Sequence, residues 1–363
     1  MKIANVVGAR PNLMKIAPLM AAYDEVDGIE PLLIHTGQHY DANLSDLFFR
    51  QLGIPEPQLN LGVGSASHAV QTAEIMKAFE PVMLEHRPDA VLVVGDVNST
   101  IACGLVAVKL GVKLVHVEAG LRSFDREMPE EINRVLTDSI SDLLFCSESS
   151  GVENLRREGI PGEKVHLVGN VMIDTLLRHR KRAERSNIVA ELGVADGPYA
   201  VLTLHRPSNV DDPAVLSGLL DALEVVQSDM PVIFPAHPRT RDKLDRFGLA
   251  PRAEALPNFR IVDPIGYLDF LELMASARVV LTDSGGIQEE TTILEVPCLT
   301  LRENTERPVT VEMGTNQLAG RDPDRIVAAY RGVMGRAVAR AQVPPLWDGR
   351  AAERIVEILQ KAL

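Results

Sequence analysis

Short apolar runs recur along the 363-residue chain at 3–7, 31–35, 90–94, 114–117, 143–146 and 165–168, each followed by a segment long enough for a helix. Strands buried on both faces read as such unbroken runs, and their alternation with helical stretches predicts βαβ units in a parallel sheet. A basic, helix-compatible stretch at 178–185 (RHRKRAER) interrupts the pattern, which restarts at 199–204, 232–235, 259–262, 279–282 and 298–301. The expected fold class is therefore α/β, with two Rossmann-like parallel-sheet domains of similar size facing each other across a cleft. The first is placed at residues 1–170 and the second at 171–350, with the last helix, 351–363, packing back on the first.

In parallel sheets ligands gather at the carboxyl ends of the strands, so the residues after each run are candidate site residues. The most informative end is Asp283-Ser284-Gly285-Gly286, where an apolar strand gives way to a helix-forming segment. Glycines there let the backbone approach a phosphate at the positive end of a helix. Asp283 or Ser284 is expected to cap that helix, and Glu289 and Glu290 lie one turn in, where a carboxylate can accept from both hydroxyls of a ribose. In the first half, Arg10 and Lys15 follow the first strand closely enough to share an anion. Asp96, Glu118 and Glu130 supply carboxylates, and like charges gathered at one place should leave at least one protonated near neutral pH, able to serve as an acid. Arg134 shares a helix face with Glu130, and Ile132, Leu136 and Ile140 form the stripe expected to bury that helix. His205, at the end of the strand that opens the second half, is placed to donate to a phosphate or a leaving group.

The rest of the sequence narrows the chemistry. A formal charge of −13 and 4% aromatic residues argue against a nucleic-acid surface, so the basic run at 178–185 reads as a solvated helix face. No apolar stretch reaches the ~20 residues of a membrane span, and no membrane insertion is expected. Cys103, Cys146 and Cys298 are widely spaced with no CxxC pair, which fits a reducing cytoplasm. Gly8 is the one glycine of the first turn, so a dinucleotide fingerprint is missing, and there is no HExxH motif and no GxSxG nucleophile elbow. Neither a metal nor a cofactor is expected.

Taken together, GARPNLMKIAP, TGQHYD, GDVNST, HVEAGLRSFDREMPEEINR, LHRPSN, TDSGGIQEE and RENTERP resemble, in order and spacing, the non-hydrolysing bacterial UDP-N-acetylglucosamine 2-epimerases. The resemblance implies a glycosyltransferase-B type fold, a homodimer, and UDP held mainly by the second domain. It makes Asp96, Glu118 and Glu130 the catalytic carboxylates, with Glu131 one position from Glu130, and His205 the leaving-group histidine. Arg10, Lys15, Ser284, Gly285 and Gly286 become diphosphate contacts, Glu290 the ribose glutamate, and Arg134 a residue near the sugar. The implied reaction is reversible conversion of UDP-N-acetylglucosamine to UDP-N-acetylmannosamine through elimination of UDP to 2-acetamidoglucal and re-addition. Asn12 stands where many members carry glutamate, and Val97-Asn98 where threonines are usual. Tyr40-Asp41-Ala42-Asn43 replaces the residues with which several members bind a second, activating UDP-N-acetylglucosamine. These departures leave open a modified sugar such as a diacetamido-uronic acid. The competing readings are a hydrolysing epimerase, a retaining glycosyltransferase of the same architecture, and a UDP-sugar sensor.

Overall fold

The computed structural model of the chain describes residues 1–37, 49–335 and 341–363. The stretch from Gln38 to Asn43, which carries the expectation about a second nucleotide sugar, lies outside them. The chain divides into two compact units, Met1–Arg178 with Pro345–Leu363, and His179–Pro344. The division falls inside a helix, later than residue 170.

In the first unit, β1 (Lys2–Val7), β2 (Glu30–His35), β3 (Leu59–Asn60), β4 (Ala90–Val94), β5 (Lys113–Val117), β6 (Leu143–Cys146) and β7 (Val165–Leu167) form a sheet of order β3-β2-β1-β4-β5-β6-β7. In the second, β8 (Ala200–Thr203), β9 (Val232–Pro235), β10 (Phe259–Val262), β11 (Val279–Thr282), β12 (Cys298–Thr300) and β13 (Asn316–Leu318) are ordered β10-β9-β8-β11-β12-β13. Every pairing is parallel. Both sheets thus share the Rossmann strand order, whose direction reverses between β1 and β4 in one unit and between β8 and β11 in the other, opening a crevice at the carboxyl ends. Register aligns those ends. Val6 pairs with Val93, and Thr203 with Thr282, so the turns after β1 and β4, and after β8 and β11, lie side by side.

The longer helices are α1 (Arg10–Tyr23), α2 (His68–His86), α3 (Asn98–Lys109), α4 (Pro129–Ile140), α5 (Ser149–Arg157), α6 (Val171–Ala183), α7 (Pro213–Asp229), α8 (Pro238–Arg246), α9 (Tyr267–Ala275), α10 (Gly285–Ile293), α11 (Pro323–Met334) and α12 (Ala351–Ala362). Apolar side chains of the strands and of the helices packed on them fill the cores, with Phe79 and Val91 in the first unit and Phe234 and Leu281 in the second. Helix α12 lies against α1 and buries Ile355, Val356 and Leu359. Its amino end is held by the carboxylate of Asp174, which accepts from the N–H of Ala351 (3.2 Å) and Ala352 (2.7 Å). Just before it, the indole of the buried Trp347 donates to the carbonyl of Ser147 at 2.9 Å.

Helix α4 departs from expectation. Its buried residues are Glu131, Arg134, Thr137 and Asp138, while Leu136 is 48% exposed and Ile132 and Ile140 are half-buried. Ion pairing and hydrogen bonds at the strand ends satisfy the polar face, so it turns inward against the apolar periodicity.

Candidate active site

In the first unit the β1 turn is built around Asn12. Its side-chain oxygen accepts from the N–H of Gly8 (3.2 Å) and Ala9 (3.0 Å), and its amide donates to the carbonyl of Val94 (2.9 Å). A glutamate at this position could not make that last bond while ionised, so asparagine here locks the β1 and β4 ends together. Arg10 opens α1 and is exposed, whereas Lys15, one turn further, is buried and pairs with Glu118. Both lie over Gly95, where an added Cβ would come within 2.8 Å of Lys15 Nζ and 3.3 Å of Glu118 Oε2. With φ at 68°, Gly95 also occupies a backbone region that side chains disfavour.

Glu118 itself sits at φ 73°. Non-glycine residues rarely hold such a conformation, and where they do it is usually at a functional position. Here the N–H groups of Glu118 and Ala119 both donate to the carbonyl of Phe145, each at 3.0 Å. Asp96 is gripped twice by α4: Asn133 donates to its carbonyl at 2.9 Å, and Arg134 Nη2 meets its carboxylate at 2.5 Å. Arg134 Nη1 also binds Glu131 at 2.7 Å. Glu131 is occupied on both oxygens, accepting from Ser123 N–H and Oγ (both 3.0 Å) and from Phe124 N–H (2.9 Å). It is a scaffold carboxylate that fixes the 121–128 loop. Glu130, half-buried in the first turn of the same helix, differs from it in exposure.

In the second unit the strand-end cluster is organised by Asp283. Its fully buried carboxylate accepts from the N–H of His205 (3.0 Å) and Arg206 (2.9 Å), from Asn209 Nδ2 (3.2 Å), and pairs with His205 Nδ1 at 3.0 Å. Burial alone would raise its pKa, but the His205 ring and these backbone donors hold it below the ordinary carboxylate range. The expected cap on α10 is corrected: Ser284 occupies the N-cap position without a side-chain bond, and Asp283 is spent on His205. With no side chain bonded there, the first turn of α10 keeps amide donors for a ligand.

Sequence reasoning missed Asp283 as the partner of His205, and it missed Arg307. The guanidinium of Arg307 lies so close to Gly285 that an added Cβ would sit 2.5 Å from Nη1, which places a cation at the amino end of α10. Its Nε donates to Glu289 at 2.6 Å, and Arg302 pairs with Glu306 at 2.9 Å. The charge-dense string RENTERP was a visible signal, but nothing in its spacing said which arginine reaches the glycines.

Glu290 is buried and accepts from the hydroxyl of Tyr267 at 3.0 Å. Burial raises its pKa to about 7, the Tyr267 hydroxyl opposes the rise, and the charge of Glu289 adds to it. The sequence-derived candidates therefore form two groups. Asp96, Glu118, Lys15 and Arg134 are linked in the first unit, with Glu130 on the helix that carries Arg134. His205, Ser284, Gly285, Gly286 and Glu290 surround the β8 and β11 ends and α10 in the second. Among the described residues no cluster of histidine, cysteine, aspartate or glutamate has the arrangement of a metal site, and no helix is long and apolar enough to cross a membrane.

Comparison with known proteins fits this geometry. A UDP-N-acetylglucosamine 2-epimerase family model matches residues 21–360. A UDP-N-acetylglucosamine 2-epimerase of Methanocaldococcus jannaschii is 43% identical over 364 residues, covering 99% of each chain. A UDP-2,3-diacetamido-2,3-dideoxy-D-glucuronate 2-epimerase of Pseudomonas aeruginosa is 41% identical, covering 99% of this chain and 100% of that protein. The crystal structure of the M. jannaschii enzyme in complex with UDP-GlcNAc and UDP superposes with a TM-score of 0.94, at 42% identity and full coverage of both chains. The architecture is of the glycosyltransferase-B type, and the chain belongs to the UDP-N-acetylglucosamine 2-epimerase family.

Proposed function

We propose that this protein interconverts UDP-N-acetylglucosamine and UDP-N-acetylmannosamine. The observation that carries the reading is the pairing of Asp96 with Arg134 and of Glu118 with Lys15 at neighbouring strand ends, which collects acids and cations around one small volume. The hydrogen at C2 of the hexose is not adjacent to a carbonyl, so direct abstraction would leave an unstabilised carbanion. Breaking the C1–O bond to UDP develops positive character at C1. A carboxylate then takes the C2 proton and the electron pair forms the C1=C2 double bond of 2-acetamidoglucal. UDP adds back to C1 while another acid delivers a proton to the opposite face of C2. Two faces require two proton-transfer groups, and Asp96, Glu118 and Glu130 supply them.

The second unit does the work at the nucleotide end. Asp283 holds His205 Nδ1, leaving Nε2 to meet an oxygen of the departing diphosphate. The Ser284 hydroxyl and the amides of Gly285 and Gly286, with Arg307, stabilise the charge that develops there. Glu290 accepts from the ribose. No metal or cofactor enters this scheme. The protein acts as a homodimer in the cytoplasm, a compartment that keeps thiols such as Cys103, Cys146 and Cys298 reduced.

The test is incubation with UDP-N-acetylglucosamine in D₂O without an acceptor, following C2 by NMR. The expected result is deuterium at C2 and formation of the manno epimer, with both lost in Asp96→Asn and Glu130→Gln while UDP binding persists. Free sugar as the main product would replace this reading with a hydrolase, and a lack of exchange would remove it for this substrate. A UDP-diacetamido-uronate is the second reading, favoured by the 41% identity with the P. aeruginosa enzyme. The same experiment with that sugar decides between them.

A further inference from the structure

The three carboxylates assigned to the hexose come from separate segments, the β4 turn, the β5 turn and helix α4. One buried pair of side chains joins all three. His116, in β5, has Nδ1 2.6 Å from Asp138 Oδ1 and Nε2 2.9 Å from the carbonyl of Gly95. Asp138 belongs to α4, and its other oxygen accepts from the N–H of Gly120 at 3.0 Å and meets Arg122 Nη1 at 2.7 Å. Gly95 immediately precedes Asp96, and Gly120 lies two residues after Glu118. Both glycines are left-handed, with φ of 68° and 81°, so these turns lie outside the strand geometry and depend on contacts beyond the sheet ladder.

A carbonyl oxygen only accepts, so His116 Nε2 must donate to Gly95. Burial alone would raise the pKa of Asp138, but His116 and Arg122 hold it below the ordinary carboxylate range. The other ring nitrogen faces Asp138 Oδ1, so the imidazole bridges the β4 turn and α4. Arg122 in turn binds Glu158 at 2.6 Å. Both side chains of the pair are fully buried. Taking charges out of water is costly, and an apolar pair of similar volume would often hold a fold at least as well. Packing alone does not account for a buried carboxylate here.

We propose that His116 and Asp138 are positioning residues for the C2 proton transfers, setting Asp96 and Glu118 in register with Glu130 without touching the sugar. This rests on the assignment of those three carboxylates above. A misplacement of about 1 Å can lower a rate about 10²-fold.

His116→Gln cannot serve both partners at once, and Asp138→Asn keeps the shape but not the charge. The expected result for each is a fall of about 10²-fold in kcat for C2 exchange, with KM and UDP affinity held within about twofold. Folded variants that exchange at the wild-type rate, or that lose only KM, overturn the proposal. Nitrogen-15 NMR of the wild type gives a second measurement that needs no variant: both His116 ring nitrogens should show hydrogen-bonded shifts, and a ring nitrogen without a partner would contradict the proposal. Wild-type protein that exchanges no C2 hydrogen refutes the activity itself, a result obtained before either variant is made.

Discussion

As the proposed ribose contact, Glu290 must be buried enough to grip the sugar and charged enough to accept from it. With a folded pKa of about 7, its neutral form dominates below that value and its ionised form above. Binding through two ribose hydroxyls favours the ionised form, so UDP affinity should rise as pH increases through about 7 and level off beyond it. Stability moves the other way. A carboxyl whose pKa is raised by folding contributes stability that is fully present below its unfolded value and is lost as pH climbs through the folded one. Glu290→Gln should flatten the Glu290 part of both profiles, and calorimetric titration of UDP across this range checks it. An unchanged affinity profile in the variant would assign the titration elsewhere. The candidate residues were visible as polar strand ends after apolar runs, which is why Asp96, Glu118 and His205 could be named from sequence. Their partners were not. Asp283 and Glu131 sit beside named residues, and only the tertiary hydrogen bonds distinguish a scaffold carboxylate from a reacting one.

At the scale of elements, the alternation of apolar runs and helical segments identified the main strands. It passed over β3 and β13, whose sequences, Leu-Asn and Asn-Gln-Leu, contain no unbroken apolar run. Helix α4 shows the limit of periodicity: Leu136 of its apolar stripe is exposed, while Arg134 pairs with Glu131 inside and Asp138 meets His116 and Arg122. Helix α12 was expected to return to the first half, and Asp174 is the contact that caps it. Loss of a capping side chain costs about 1 kcal/mol, with a range of about 0.5–2. Asp174→Ala should therefore lower the unfolding midpoint of the first unit. Trp347 is the sole tryptophan, so its fluorescence reports that transition directly. A midpoint equal to wild type would show that packing of Ile355, Val356 and Leu359 suffices without the cap.

For the whole molecule, helices α2, α3 and α4 pack in sequence, and each leaves an apolar side chain outside: Val70 at 54%, Val108 at 38% and Leu136 at 48% exposure. Exposed apolar residues gathered on adjoining helices are the raw material of a subunit contact. Light scattering should give twice the 39.6 kDa of one chain, and Leu136→Lys should shift the mass toward that of one chain. A wild-type mass of a single chain would remove the homodimer from the proposal.

The first unit is closed by the last residues of the chain, 345–363, whereas the second is one continuous segment. Synthesis runs from the amino end, and domains generally form as units while it proceeds. The second unit can reach its native state without waiting for any later segment. The first emerges earlier yet waits for its final helix until the whole second unit has been made, leaving α1 uncovered on that side through the interval. The half that holds Asp96, Glu118 and Glu130 is thus the one most open to chaperones and proteases in a nascent chain.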